Sequence, residues 1–118
     1  MPETLAAGWI AGGGQYAAAM ANFAVRLVHG PGWDAARPIR SQDGWDEHAA
    51  FMDALVDDGF VVLGGPLADE ERVVLVVAAD DEQTVRERLA QDPWSGTHLV
   101  VESVDAWTIR LDGRARAG

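Results

Sequence analysis

Two residue types are missing from this chain, cysteine and lysine, and each absence closes off chemistry. Without cysteine there is no disulfide, no thiolate nucleophile and no zinc–thiolate centre. That fits a reducing compartment, and a cytoplasmic location is the expectation. Without lysine no side-chain amine can form a Schiff base with a carbonyl substrate or with pyridoxal phosphate. All nine basic residues are arginine, a choice that reads as base bias of the genome rather than as a functional signal. Positive charge is scarce as well. The formal net charge of −10 argues against nucleic acid and anionic membranes as partners. No GxGxxG, GxxxxGK or GxSxG pattern occurs, so nucleotide-cradling loops and the serine-hydrolase elbow are not expected.

A chain of 118 residues is expected to form one domain with a core of its own. Residues 1–21 are rich in Ala and Gly and contain no Lys or Arg, so they lack the charged start of a signal peptide. Gly12-Gly13-Gly14 interrupts their apolar run, which is therefore no membrane span. They read as a disordered tail. Met20 stands just ahead of the first strand, so the expectation is that the natural chain could start there. The domain proper is expected over 22–112, with a frayed end over 113–118.

The first strand is expected from Phe23 to His29. There Phe23, Val25, Leu27 and His29 face one way and Ala24, Arg26 and Val28 the other. A Pro/Gly-containing loop follows, with no regular structure expected. A helix then begins near Trp45, capped by Asp43, with Asp46 and Glu47 in its first turn and Gly59 as its stop. Strand two is expected over Phe60 to Leu63, closed by a Gly64-Gly65-Pro66 turn. After the acidic turn Asp69-Glu70-Glu71, Arg72 to Ala79 forms strand three. Its apolar run has no polar face, so both faces should be buried. Asp80 with Gln83 is a capping pattern for helix two, with Val85 and Leu89 inward. Asp92-Pro93 ends that helix. Leu99 to Val104 and Trp107 to Leu111 make the last strand, bent at Asp105-Ala106.

One residue is out of place in this pattern. At about 100° per residue, His48 shares the apolar stripe of helix one with Trp45, Met52, Leu55 and Val56. Asp46, Glu47, Asp53, Asp57 and Asp58 form the solvated opposite face. A titratable ring on the stripe needs a partner or a purpose. The order β-α-β-β-α-β predicts an α+β domain, a ferredoxin-like four-stranded antiparallel sheet with both helices on one face and strand one between strands three and four. In that topology His29, Trp33, Trp45, His48, Gly64-Gly65-Pro66, Asp92, Trp94 and His98 collect at one end of the sheet.

The stretch WDEHAAFMDALVDDGFVVLGGPL, followed by DPW and VESVDAW, resembles the YCII-related domain family over residues 22–112. The resemblance implies a dimeric α/β barrel. It also implies a proposed active site made of a helix-one histidine and an aspartate after helix two, which fall here on His48 and Asp92, beside the glycine–proline turn at Gly64-Gly65-Pro66.

The expected function is cofactor-independent proton transfer, isomerisation or elimination, on a small cyclic or carbonyl-bearing metabolite. His48 would be the general base or acid, because an imidazole can take and give a proton near neutral pH. Asp92 would orient it. Trp45, Gly65, Pro66 and Trp94 would line the substrate pocket. Arg40, with Arg26 and Arg37 behind it, would hold an anionic substrate group. The structural alternatives are a core histidine satisfied by a backbone carbonyl and an Asp92 that caps a turn ahead of Pro93. A non-catalytic dimeric ligand-binding or accessory domain is the competing function. His29 and His98 lack a third ligand, so no metal is expected.

Overall fold

A computed structural model describes residues 21–116. The expected tail, except Ala21, and Met20 as a start lie outside the described residues. Along the chain come β1 (Ala21–His29), a 3-10 turn (Ile39–Ser41), α1 (Trp45–Asp57), β2 (Val61–Pro66), β3 (Arg72–Ala79), α2 (Glu82–Leu89), β4 (Leu99–Ala106) and a 3-10 turn (Gly113–Arg116). The four strands form one sheet in the order β2-β3-β1-β4. Every neighbouring pair is antiparallel. This is an α+β architecture compatible with a ferredoxin-like fold, with β1 between β3 and β4 as expected.

The core forms where the period of two in the strands meets the helical stripes. Phe23, Val25 and Leu27 of β1 are buried with Leu75, Val77 and Ala79 of β3. Leu55 of α1 and Val85 and Leu89 of α2 join the same cluster. Apolar burial of this kind contributes roughly 1.5–3 kcal/mol for each large side chain. The other strand face carries Ala24, Arg26 and Val28 of β1, opposite Val76, Val74 and Arg72 of β3. Val74 is half-buried and Val76 buried, so within one chain β3 is only partly covered on this side.

Four local readings are corrected. First, Gly64-Gly65-Pro66 is not a turn but the end of β2, paired with Leu75, Val74 and Val73. β2 is an edge strand, where a proline is tolerated. At Gly64 a Cβ would stand 2.5 Å from Leu75 Cδ2, so glycine lets that buried side chain lie against the backbone. Second, Asp43 does not cap α1. The N-cap is Gly44, at φ 77° with no side-chain cap bond. Third, α2 is capped one residue later than expected. The Asp81 carboxylate accepts the Thr84 N–H at 2.8 Å, while Gln83 turns to Glu87. Fourth, β4 stops at Ala106. The Trp107 N–H bonds the Asn22 carbonyl, and among the described residues no strand pairs with 107–111. The expected bend is instead a register shift at Arg26/Leu27, where Ser103 and Val101 are the partners and Glu102 is the extra residue.

Candidate active site

His48 lies in the first turn of α1, on the side that meets the sheet, and is buried. Its Nδ1 stands 2.9 Å from each carboxylate oxygen of Asp92. The two side chains are 9% and 8% exposed, so the pair is nearly dry. A carboxylate only accepts, so in the neutral imidazole the proton sits on Nδ1 and the lone pair on Nε2. Among the described residues Nε2 has no hydrogen-bond partner. His48 is not a core histidine bonded to a backbone carbonyl.

Asp92 is held by the turn that follows α2. Its N–H bonds the Leu89 carbonyl, and its Oδ1 accepts the Trp94 N–H at 2.9 Å. The contacts expected of a turn-forming Asp92 and of an Asp92 beside His48 are both present. It organises a turn, and the same carboxylate meets His48. No helix starts at Pro93, so the N-cap form of that reading is corrected to a local Asx turn.

Trp94 keys the elements together. It is 1% exposed. Its ring stacks on His48 at 4.1 Å between centroids, with 8° between the planes, and its Nε1–H donates to the Asp43 carbonyl at 2.8 Å. The same indole explains the missing cap on α1: a Cβ on Gly44 would stand 3.2 Å from Trp94 Nε1. All three histidines of the chain pack on tryptophans here. His29 stacks on Trp33 at 3.8 Å, and His98 stacks on Trp94 at 4.8 Å. Trp45 tilts against both His48 and Trp94.

A cavity of about 480 Å³ opens beside this cluster between α1 and β2. His48, Trp45, Gly65 and Pro66 line it, together with Trp33, His29, Met52 and Asp53. Trp94 and Asp92 stand behind His48 rather than in the wall. Arg40 is not among the lining residues. Its guanidinium lies 5.8 Å from the centre of the Trp45 ring, in a cation–π position. Arg37 is bound to Asp34 and Asp43, and Arg26 projects from the helix-free face of the sheet. None of the three arginines expected to hold a substrate anion lines this cavity.

Three contributors escaped the sequence. Gln42 is buried and organises the loop after β1. Its amide donates to the carbonyls of Asp34 and Arg37 at 2.7 and 2.8 Å and accepts the Asp34 N–H at 3.0 Å. In that loop the Ala36 N–H and the Arg37 guanidinium hold the Asp34 carboxyl below the ordinary carboxylate range. Asp53, read as part of the solvated helix face, reaches the cavity. Glu70 does so from the β2–β3 turn. Its φ of 59° is the left-handed conformation that favours glycine. Among the described residues no three His, Cys, Asp or Glu side chains are grouped to hold a metal ion. Nor is any helix there long and apolar enough to cross a membrane.

Comparison with protein-family models, with curated proteins and with solved structures finds no match.

Proposed function

We propose that this chain is a cofactor-independent proton-transfer enzyme of the YCII-related type, with His48 as base and Asp92 as the group that orients it. The observation that carries the reading is the two-sided environment of His48. Nδ1 is bound by a buried carboxylate, while Nε2, without a partner among the described residues, belongs to a ring that lines a cavity. A ring held on one side by a buried carboxylate and lining a cavity on the other is the arrangement that a general base requires.

The chemistry follows from that geometry. The Nε2 lone pair removes a proton from a carbon made acidic by a neighbouring carbonyl. The Asp92 carboxylate stabilises the imidazolium that forms, and the Trp94 N–H keeps that carboxylate aimed. Returning the proton to a different carbon completes an isomerisation. Departure of a leaving group instead completes an elimination. The cavity size and its apolar wall suit a small cyclic or carbonyl-bearing metabolite.

The direct test is deuterium exchange. Small cyclic and α-substituted carbonyl compounds are incubated with the chain in D2O, and loss of carbon-bound proton signal is followed by NMR. Exchange with the wild type and none above background with His48→Gln is the expected result. Ligands that bind without any exchange would instead identify a non-catalytic binding domain.

The same proposal includes a homodimer closed sheet to sheet. On the face without helices, register sets Leu63 beside Val76 and Val28 beside Val100. Leu63 is 53% exposed there, and beyond β4 Leu111 is 91% exposed. An apolar face of this kind is normally covered by a partner, and a two-fold axis lets one patch cover its own copy. Light scattering at micromolar concentration is expected to give twice the chain mass, and Leu63→Glu to give monomer. A wild-type chain that runs as a monomer would remove the barrel from the proposal.

A further inference from the structure

The charge around the His48 cavity has a sign that proton transfer does not by itself require. The Asp and Glu side chains lining it are Asp53 of α1 and Glu70 of the β2–β3 turn, and no arginine lines it. Arg37 and Arg72 line an adjoining, more open cavity of about 640 Å³, which shares His29, Trp33, Ile39 and Glu70 with the first. Both guanidiniums are already engaged, Arg37 by Asp34 and Asp43 and Arg72 by Glu102. Neither Asp53 nor Glu70 has an ion-pair partner among the described residues.

Two solvated carboxylates do not make a site, but His48 adds an independent requirement. It is more than nine-tenths buried, it lines the same cavity, and its Nε2 lacks a donor among the described residues. The lone pair and the two carboxylates all seek hydrogen-bond donors. The wall between them is apolar, with Ile39, Met52 and Leu75, and it includes Trp33 and Trp45. Indole faces attract cations and leave anions unassisted. The net charge of −10 gives the surrounding potential the same sign preference.

We infer that the ligand of this cavity is a small amine: a ring or short apolar body bearing one protonated nitrogen, recognised by Glu70 and Asp53. Glu70 is the specificity-determining residue of the pair. Its left-handed backbone holds a carboxylate at a turn position where glycine would be the easier choice. The inference replaces the anionic substrate expected from Arg40. It deepens the reading of His48 as base and rests on it only for what happens after binding.

The test uses the full chain and three probes of one shape: benzylamine, benzyl alcohol and benzoate. Trp33 and Trp45 in the cavity wall make tryptophan emission the binding signal, with NMR shifts of the His48 ring locating the site. Benzylamine is expected to bind on the order of tenfold more tightly than benzoate, about the effect of one favourable charge contact. Glu70→Gln should remove most of that preference and weaken binding of benzylamine far more than that of benzyl alcohol. Glu70→Gly should do the same while folding at least as well, since it relieves the positive φ. Preference for benzoate, binding of none of the three, or an unchanged amine preference in both Glu70 variants would overturn the inference. The two readings fail separately. Amine selectivity without deuterium exchange removes the enzyme and keeps the amine site. His48-dependent exchange on neutral or anionic carbonyl compounds alone does the reverse.

Discussion

His48→Ala is expected to lower deuterium exchange by about two to four orders of magnitude, the usual contribution of a positioned general base. The chain should stay folded. Alanine is an excellent helix former, and Leu55, on the same side of α1, remains buried in the core. The removed ring does leave Asp92 as a buried carboxylate without its imidazole, so some loss of stability accompanies the loss of activity. Asp92→Asn separates the two effects. Oδ1 accepts the Trp94 N–H and also stands 2.9 Å from Nδ1, as Oδ2 does. An asparagine oxygen held on that side therefore still accepts the Nδ1–H and keeps the ring oriented, while the charge that stabilises the imidazolium is lost. Exchange should fall, but by less than in His48→Ala. Urea midpoints and circular dichroism should stay near wild type for Asp92→Asn. Full activity in that variant would show that Asp92 only shapes the turn.

The meeting of His48 and Asp92 could be anticipated because it depends on coarse features. The apolar stripe puts residue 48 toward the sheet. The strand order and alternating directions bring the start of α1 and the end of α2 to one end. Neither step needs atomic detail. Gly64-Gly65-Pro66 was harder to read, because glycine and proline look like punctuation whether they end a strand or form its edge. Only pairing with β3 separates the two cases. The helix caps turned on one-residue choices. Asp80 and Asp81 are both able to cap, and the backbone of Asp81, at φ −158°, decides. Gly44 was not legible from its neighbours at all. Its need comes from Trp94, 50 positions along the chain, whose ring leaves little room for a Cβ. Asp53 and Glu70 were hidden for a related reason. A carboxylate on a polar helix face or an acidic turn has an ordinary explanation until a cavity is found beside it.

Trp94 should be the most costly side chain of the site to remove. Trp94→Ala is expected to destabilise the domain by about 3–5 kcal/mol, the range for deleting a large buried aromatic. That is a large share of the roughly 5–15 kcal/mol by which small domains are stable. The indole is 1% exposed, so its space is not readily filled by water. Its removal also strands the Asp43 carbonyl and withdraws the stacking surface of His48 and His98. Trp94→Phe divides the effect. A phenyl ring keeps much of the stack but cannot donate to Asp43, so a loss of about 1–3 kcal/mol is expected from one unsatisfied acceptor and the smaller ring. Trp45→Ala is the control. That ring is only half-buried and shows no hydrogen bond among the described residues, so its loss should cost less than Trp94→Ala while still altering ligand binding. Urea midpoints at constant slope would measure all three. A Trp94→Ala chain within about 1 kcal/mol of wild type would mean that the turn over residues 92–98 holds Asp92 against His48 without the indole, and that the stack is a consequence of the site rather than its support.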